Sequence, residues 1–174
     1  TNAAMTTLVD NKNMLIKVRL PMEIFVLARV YTALVNLGYS MIAYVVMLIV
    51  FQIQIRPTVL FFPVIILFIL FFSLGVSFVL STAYVFFGDV KHLYSVLLYC
   101  SAIFYPVDRL EGIIRTIIEF NPIYEYISAT RNVVMYGVMP SALEILKMLI
   151  WSVAMLGIGY YIFRINKNKV MQKI

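Results

Sequence analysis

The sequence predicts an all-α, polytopic membrane protein with four transmembrane helices. Residues 30–51, 58–87, 93–105 and 148–163 contain no charged side chain, and a run of about 20 apolar residues, each rising roughly 1.5 Å, crosses the hydrocarbon core of a bilayer. Composition agrees, because 63% hydrophobic and 13% charged residues would leave a soluble globule with a surface it could not hydrate. The runs are continuous rather than alternating. That argues against a β-barrel, whose strands need a polar lumen face at every second position.

Ahead of the first span, Asp10, Asn11 and Asn13 are each able to cap a helix start. Leu15 and Ile16, set against Lys17 and Arg19, give the segment two-sided character, and Pro21 breaks or kinks it before Glu23. Residues 11–24 therefore read as a short amphipathic element, either an interfacial anchor or a docking surface for a cytoplasmic partner. The first span sets Asn36, Ser40 and Tyr44 on one stripe. The second begins near Pro57 or Pro63 and carries Ser73, Ser77 and Ser81 at the same spacing, with Gly75 nearby. Polar groups in hydrocarbon need partners, and small residues let helices approach closely. Both stripes are expected to pack against other helices, with pore lining as the alternative.

Phe86-Phe87-Gly88-Asp89-Val90-Lys91-His92 reads as a tight turn in which Asp89 caps the next helix, a role compatible with docking or gating. His92 reads as an interfacial side chain. The third apolar stretch, 93–105, reaches only about 20 Å as a helix before Pro106 stops it. An amphipathic helix follows. Leu110, Ile113, Ile114, Ile117 and Ile118 share one face, Glu111, Arg115 and Glu119 share another, and Asp108 is the candidate cap. Asn121-Pro122 turns the chain, and a second segment from Ile123 to Tyr136 ends near Gly137. Periodicity leaves two arrangements open for this pair: re-entrant helices bordering a cavity, or helices lying flat on the outer surface. Ser141-Ala142-Leu143-Glu144 is a capping box that opens the last helix, which runs through Trp151, a candidate interfacial anchor, to Arg164. The basic residues within 165–174 then face anionic lipid or a partner.

The charges sort by loop. Lys12, Lys17, Arg19, Arg29, Lys91, Arg164, Lys167, Lys169 and Lys173 fall on one side with Asp10, Glu23 and Asp89, so the whole formal charge of +6 belongs to that face. On the other side Arg56, Arg109, Arg115, Arg131 and Lys147 are matched by Asp108, Glu111, Glu119, Glu125 and Glu144. By the positive-inside rule the basic face is expected to be cytoplasmic, with both ends inside. Membrane topology thus accounts for the basic balance without nucleic acid.

Several chemistries are missing. A single cysteine, Cys100, excludes an intrachain disulfide and reads as a small buried hydrophobe, and no Cys/His cluster offers a metal site. Seven scattered glycines include no Gly-x-x-x-x-Gly-Lys-Ser/Thr loop, and nucleophile and base constellations are absent. No ionisable side chain lies deep in a span, where a proton- or ion-coupled carrier would need one. The chain is expected not to be an enzyme, and any substrate it moves is expected to draw on energy from another subunit.

Four pieces in order carry a resemblance: Asn13-Met14-Leu15-Ile16-Lys17-Val18-Arg19-Leu20-Pro21-Met22-Glu23-Ile24, then Phe87-Gly88-Asp89-Val90-Lys91-His92, then Tyr105-Pro106-Val107, then Phe120-Asn121-Pro122-Ile123 with Arg131 downstream. In this order, and across essentially the whole chain, the sequence resembles the membrane subunit of type-2 ABC exporters, particularly those for lipid-linked polysaccharides such as O-antigens (lipopolysaccharide), capsules and teichoic acids. The resemblance implies about six spans in the complete permease and a re-entrant gate pair within residues 106–137. It implies ATPase docking through Asn13, Leu15, Lys17, Arg19, Pro21 and Glu23, a cytoplasmic turn at Gly88, Asp89 and Lys91, and an outer gate at Pro106, Asn121, Pro122 and Arg131. The family usually has Arg where Gly88 stands, which puts a salt bridge from that position in question. The chain begins at Thr1 without an initiator methionine and lacks the family's N-terminal cytoplasmic helix and first two spans. It is therefore expected to be the later part of a larger unit.

The implied partners are a second copy of the permease, a separate ATP-binding subunit that holds ATP and Mg, the lipid-linked glycan and membrane lipids. This chain itself is expected to bind no cofactor. Sugar C–H faces stack on aromatic rings, which makes Tyr94, Tyr99, Phe104 and Tyr105 the candidate channel-lining residues. Export of a drug or small lipid, and a non-transporting membrane scaffold, are the alternative readings.

Overall fold

The structure, a computed structural model, describes residues 1–17, 21–51, 57–99 and 121–173, with the side chains of residues 16 and 97–99 left out of that description. Among the described residues the regular elements are all helical. Short helices α1 (Asn2–Met5), α2 (Thr7–Asp10) and α3 (Lys12–Lys17) lead into α4 (Glu23–Val50). A 3₁₀ turn (Pro57–Phe61) opens α5 (Phe62–Phe86), and α6 (Val90–Tyr99) follows the Gly88-Asp89 turn. Helix α7 (Pro122–Arg131) runs into a π-helical turn (Asn132–Tyr136), and α8 (Ala142–Lys173) ends the chain.

Among the described residues three segments are long and apolar enough to cross a membrane: Glu23–Val50, Pro57–Phe86 and Ala142–Lys173. The third expected span begins inside α6. Its remainder, with Cys100, Phe104, Tyr105 and Pro106, and the amphipathic helix after Asp108 lie outside the described residues, as does Arg19.

Local signals act where the sequence places them. Pro63 sits in the first turn of α5, where its missing N–H removes nothing from the helix ladder. The capping box forms: Ser141 N–H donates to Glu144 Oε2 at 2.7 Å, and Glu144 N–H donates to Ser141 Oγ at 3.3 Å. Asn121 Oδ1 accepts from Ile123 N–H at 3.0 Å and starts α7, with Pro122 in its first turn. Gly137 closes the π turn at φ 68°, a left-handed conformation that glycine adopts without steric cost.

The main interface joins α5 to α8, which run parallel. Ile65 and Met148 share one buried cluster, Ser152 Oγ donates to the Phe68 carbonyl at 2.8 Å, and the Phe78 and Phe163 rings lie 5.0 Å apart. At the far end Lys173 Nζ donates to the Phe86 carbonyl at 3.2 Å and sits 5.2 Å from the Phe86 ring centroid. A cation there complements the negative end of α5. The two backbones meet at Gly75 and Gly159, where a Cβ on either would overlap the other helix's main chain. Ser152 is buried in the same interface, and the stripe on the second span packs within the chain: Ser77 and Ser81 are buried, and Ser73 is half-buried in a groove with Val30, Ala33 and Leu37 of α4. The stripe on the first span does not do so within this chain: Asn36, Ser40 and Tyr44 are exposed, and Ser40 Oγ donates back to the Asn36 carbonyl at 3.0 Å. Outward orientation leaves that stripe to neighbours other than α5 and α8.

Helix α4 is antiparallel to this pair. Glu23 in its first turn lies 3.0 Å from Lys167 Nζ, near the end of α8. Leu15, Met22, Phe25 and Val26 join Phe78, Phe163 and Val170 in the cluster that closes this end of the bundle, with Phe86 packed against it. Because both partners of the ion pair remain partly hydrated, Glu23→Gln is expected to cost less than about 1 kcal/mol. Thermal unfolding in low and high salt checks this, and the swap Glu23→Lys with Lys167→Glu should restore the loss.

Candidate functional site

The parallel α5–α8 pair divides the candidate residues between two ends. One end gathers α3, the first turn of α4, the Gly88-Asp89 turn and the last turns of α8. Lys12, Asn13, Lys17, Pro21, Lys91 and His92 are exposed there, together with Gly88 and Asp89. Leu15, expected on the docking surface, is only 4% exposed and anchors α3 to the bundle. Glu23 is half-buried in its ion pair with Lys167. The basic segment 165–174 continues α8 as helix through Lys173, and Val170 within it is buried in the core. The Asp89 backbone carbonyl accepts from His92 N–H at 3.0 Å and Leu93 N–H at 3.3 Å, which places Asp89 at the start of α6.

From that turn α6 rises to mid-bundle. Tyr94 is 7% exposed, hydrogen-bonds the Thr1 hydroxyl, and borders a cavity of about 250 Å³ shared with Phe72, Ser73, Val76, Ile123 and Tyr126. Of the expected channel-lining residues only this side chain is described; Tyr99 lies in α6, but its side chain is not among those described. The cavity is mostly apolar.

Helix α7 continues from the level where α6 arrives. Ile123 borders the same cavity as Ser73 and Val76, about 20 Å along α5 from its first turn, whereas Thr58 Oγ1 donates to the Val133 carbonyl at 3.0 Å. The Asn121-Pro122 turn therefore lies next to the middle of α5, and the chain runs from there outward to Gly137. Tyr126 holds this arrangement: its hydroxyl lies 2.8 Å from both the Met148 carbonyl and Ser152 Oγ, and its ring lies 5.4 Å from that of Phe72. Arg131, half-buried one turn before the end of α7's π extension, borders a further cavity of about 310 Å³ with Thr130 and Val134.

At the opposite end from the basic face, α7 and the first turns of α8 flank a half-open cavity of about 340 Å³ whose wall includes Tyr124, Glu125, Ser128, Ser141, Glu144 and Lys147. Glu125 Oε1 lies 3.6 Å from Lys147 Nζ. The sequence shows these only as matched loop charges, because no local period links residues on separate helices. No group of His, Cys, Asp and Glu able to hold a metal occurs among the described residues. No protein-family model matches the chain, and no curated protein matches it.

Proposed function

We propose that the chain is the permease half of an ATP-driven exporter that moves a lipid-linked polysaccharide across a bacterial cytoplasmic membrane, its basic face inward. The observation that carries this reading is the sorting of the resembling pieces by the α5–α8 pair. Asn13–Lys17, Pro21–Glu23 and the Gly88-Asp89-Lys91 turn come to one basic end, while Ile123, directly after the Asn121-Pro122 turn, borders the cavity beside the middle of α5. The depth of Pro122 and the outward run of α7 support a re-entrant pair over helices lying flat. Buried Tyr94, beside the mid-bundle cavity, supports a route through the core of the assembly.

In this reading Lys17 and its neighbours dock on the ATPase, and force enters at the first turn of α4. Met22, Phe25 and Val26, buried with Phe163 and Val170, tie that turn to the end of α8, so movement of one carries the other. ATP and Mg stay on the partner subunit. Two permease copies and two ATPase subunits complete the exporter.

The test is co-expression of the protein with candidate ATP-binding subunits from the same genome. A stable complex with stimulated ATPase activity is expected, and loss of the protein should deplete a surface polymer. Lys17→Ala with Arg19→Ala is expected to weaken association roughly tenfold, about 1.4 kcal/mol. Unchanged association and stimulation in that variant would remove the docking role. Failure to associate in detergent and in lipid would favour the non-transporting scaffold.

A further inference from the structure

We propose that the cavity between α7 and the first turns of α8 is a binding subsite for one neutral sugar ring. This rests on the exporter reading for its purpose, but its chemistry stands on the wall itself. Glu125, Glu144 and Lys147 place two carboxylates and one ammonium around about 340 Å³, the lower end of the size range for small-ligand sites. Charged groups are poorly matched to lipid tails, so an acyl chain is a poor occupant. A simple anion meets two carboxylates, and a simple cation meets Lys147. A polyol satisfies all three, because each hydroxyl can donate to a carboxylate and accept from the ammonium.

The wall is fixed before any ligand arrives. Ser141 N–H and Oγ both bond Glu144 Oε2, at 2.7 and 3.0 Å, which holds the carboxylate in place and leaves Oε1 as the acceptor it can offer a hydroxyl. Glu125 is held by Lys147, and its side chain is 19% exposed against 53% for the lysine. The carboxylate is thus the set partner and the ammonium the adaptable one. Tyr124 supplies an aromatic ring for the C–H face of a pyranose, and Ser128 a small polar floor.

The experiment is saturation-transfer NMR on the full chain in nanodiscs, using the methyl glycosides of glucose, galactose and N-acetylglucosamine, with glucuronate as the anionic comparison. Transfer to at least one neutral glycoside is expected, with a dissociation constant on the order of 1 mM. Glu125→Gln should weaken it about tenfold, and Ser128→Trp, which fills the cavity, should abolish it. Glu125→Gln is nearly isosteric and keeps the test open if Ser128→Trp does not fold. No transfer from any neutral glycoside, equal transfer in both variants, or tighter binding of glucuronate would each overturn the subsite. ATPase-dependent polymer export without glycoside binding would overturn the subsite and leave the exporter reading standing. Glycoside binding without any ATPase partner would do the reverse.

Discussion

Replacing Gly159 by leucine is expected to abolish the folded bundle, and Gly75→Leu should do the same. At the crossing of α5 and α8 a Cβ on Gly159 would overlap the Gly75 carbonyl, and a Cβ on Gly75 would overlap the main chain at Met155 and Leu156. Neither obstacle is the movable end of a side chain. The helices would have to separate, and in a bilayer separation has no hydrophobic force to oppose it, since lipid tails are as apolar as the side chains they replace. Close backbone approach is then the main source of cohesion here, through dispersion across the Gly75–Gly159 crossing.

Gly159→Ala, which adds the Cβ alone, should cost about 1–3 kcal/mol, the range for overpacking a close contact. An internal control lies two residues away, where a Cβ on Gly157 meets nothing within 4 Å. Gly157→Ala should be neutral or stabilising by up to about 1 kcal/mol, because alanine is the better helix former. Monodispersity after extraction and thermal unfolding in nanodiscs separate the two. Equal behaviour of the Gly157 and Gly159 variants would show that the crossing does not hold the bundle together.

How much of this was legible depended on whether a signal was local. The three long helices were visible because each is a near-continuous apolar run, and the Ser141–Glu144 box and the Gly137 stop depend on residues within a few positions of one another. Gly75 stood out as small, but its partner Gly159 lies on another helix and no period connects them. Burial of Ala4, Met5 and Leu8 was likewise invisible. The segment is short and mixed, and it is buried because α4 and α5 leave a groove for it, not because of its own pattern. Leu15 was read as part of a docking surface for the same reason: an amphipathic stretch shows two faces but not which one the bundle takes. The Glu125–Lys147 pair escaped notice because balanced loop charges look alike whether paired or solvated.

Tyr126→Ala should be the most damaging change outside the glycine crossing, costing about 3–5 kcal/mol in line with large aromatic deletions from packed interiors. The ring is 3% exposed and shares a cluster with Ile65, Phe72, Val133 and Met148, so its loss opens a cavity where three helices meet. The hydroxyl adds direction. Two protons serve the group formed by Tyr126, Ser152 and the carbonyls of Phe68 and Met148. When Ser152 donates to Phe68, joining α8 to α5, Tyr126 donates to Met148 or to Ser152, joining α7 to α8. Both carbonyls belong to helices, so the hydroxyls add second bonds rather than rescue bare acceptors. Tyr126→Phe and Ser152→Ala should therefore each cost only about 0.5–1.5 kcal/mol. In a double-mutant cycle the two losses should not add, with a coupling of at least about 0.5 kcal/mol. If α7 is the gate-side helix of an exporter, Tyr126→Phe should also leave ATPase stimulation intact while export falls, because its proton positions α7 far from the basic end where the ATPase docks. Strict additivity in the cycle would mean that α7 is held by the ring alone, and loss of export would then track the volume of the side chain at 126 rather than its hydroxyl.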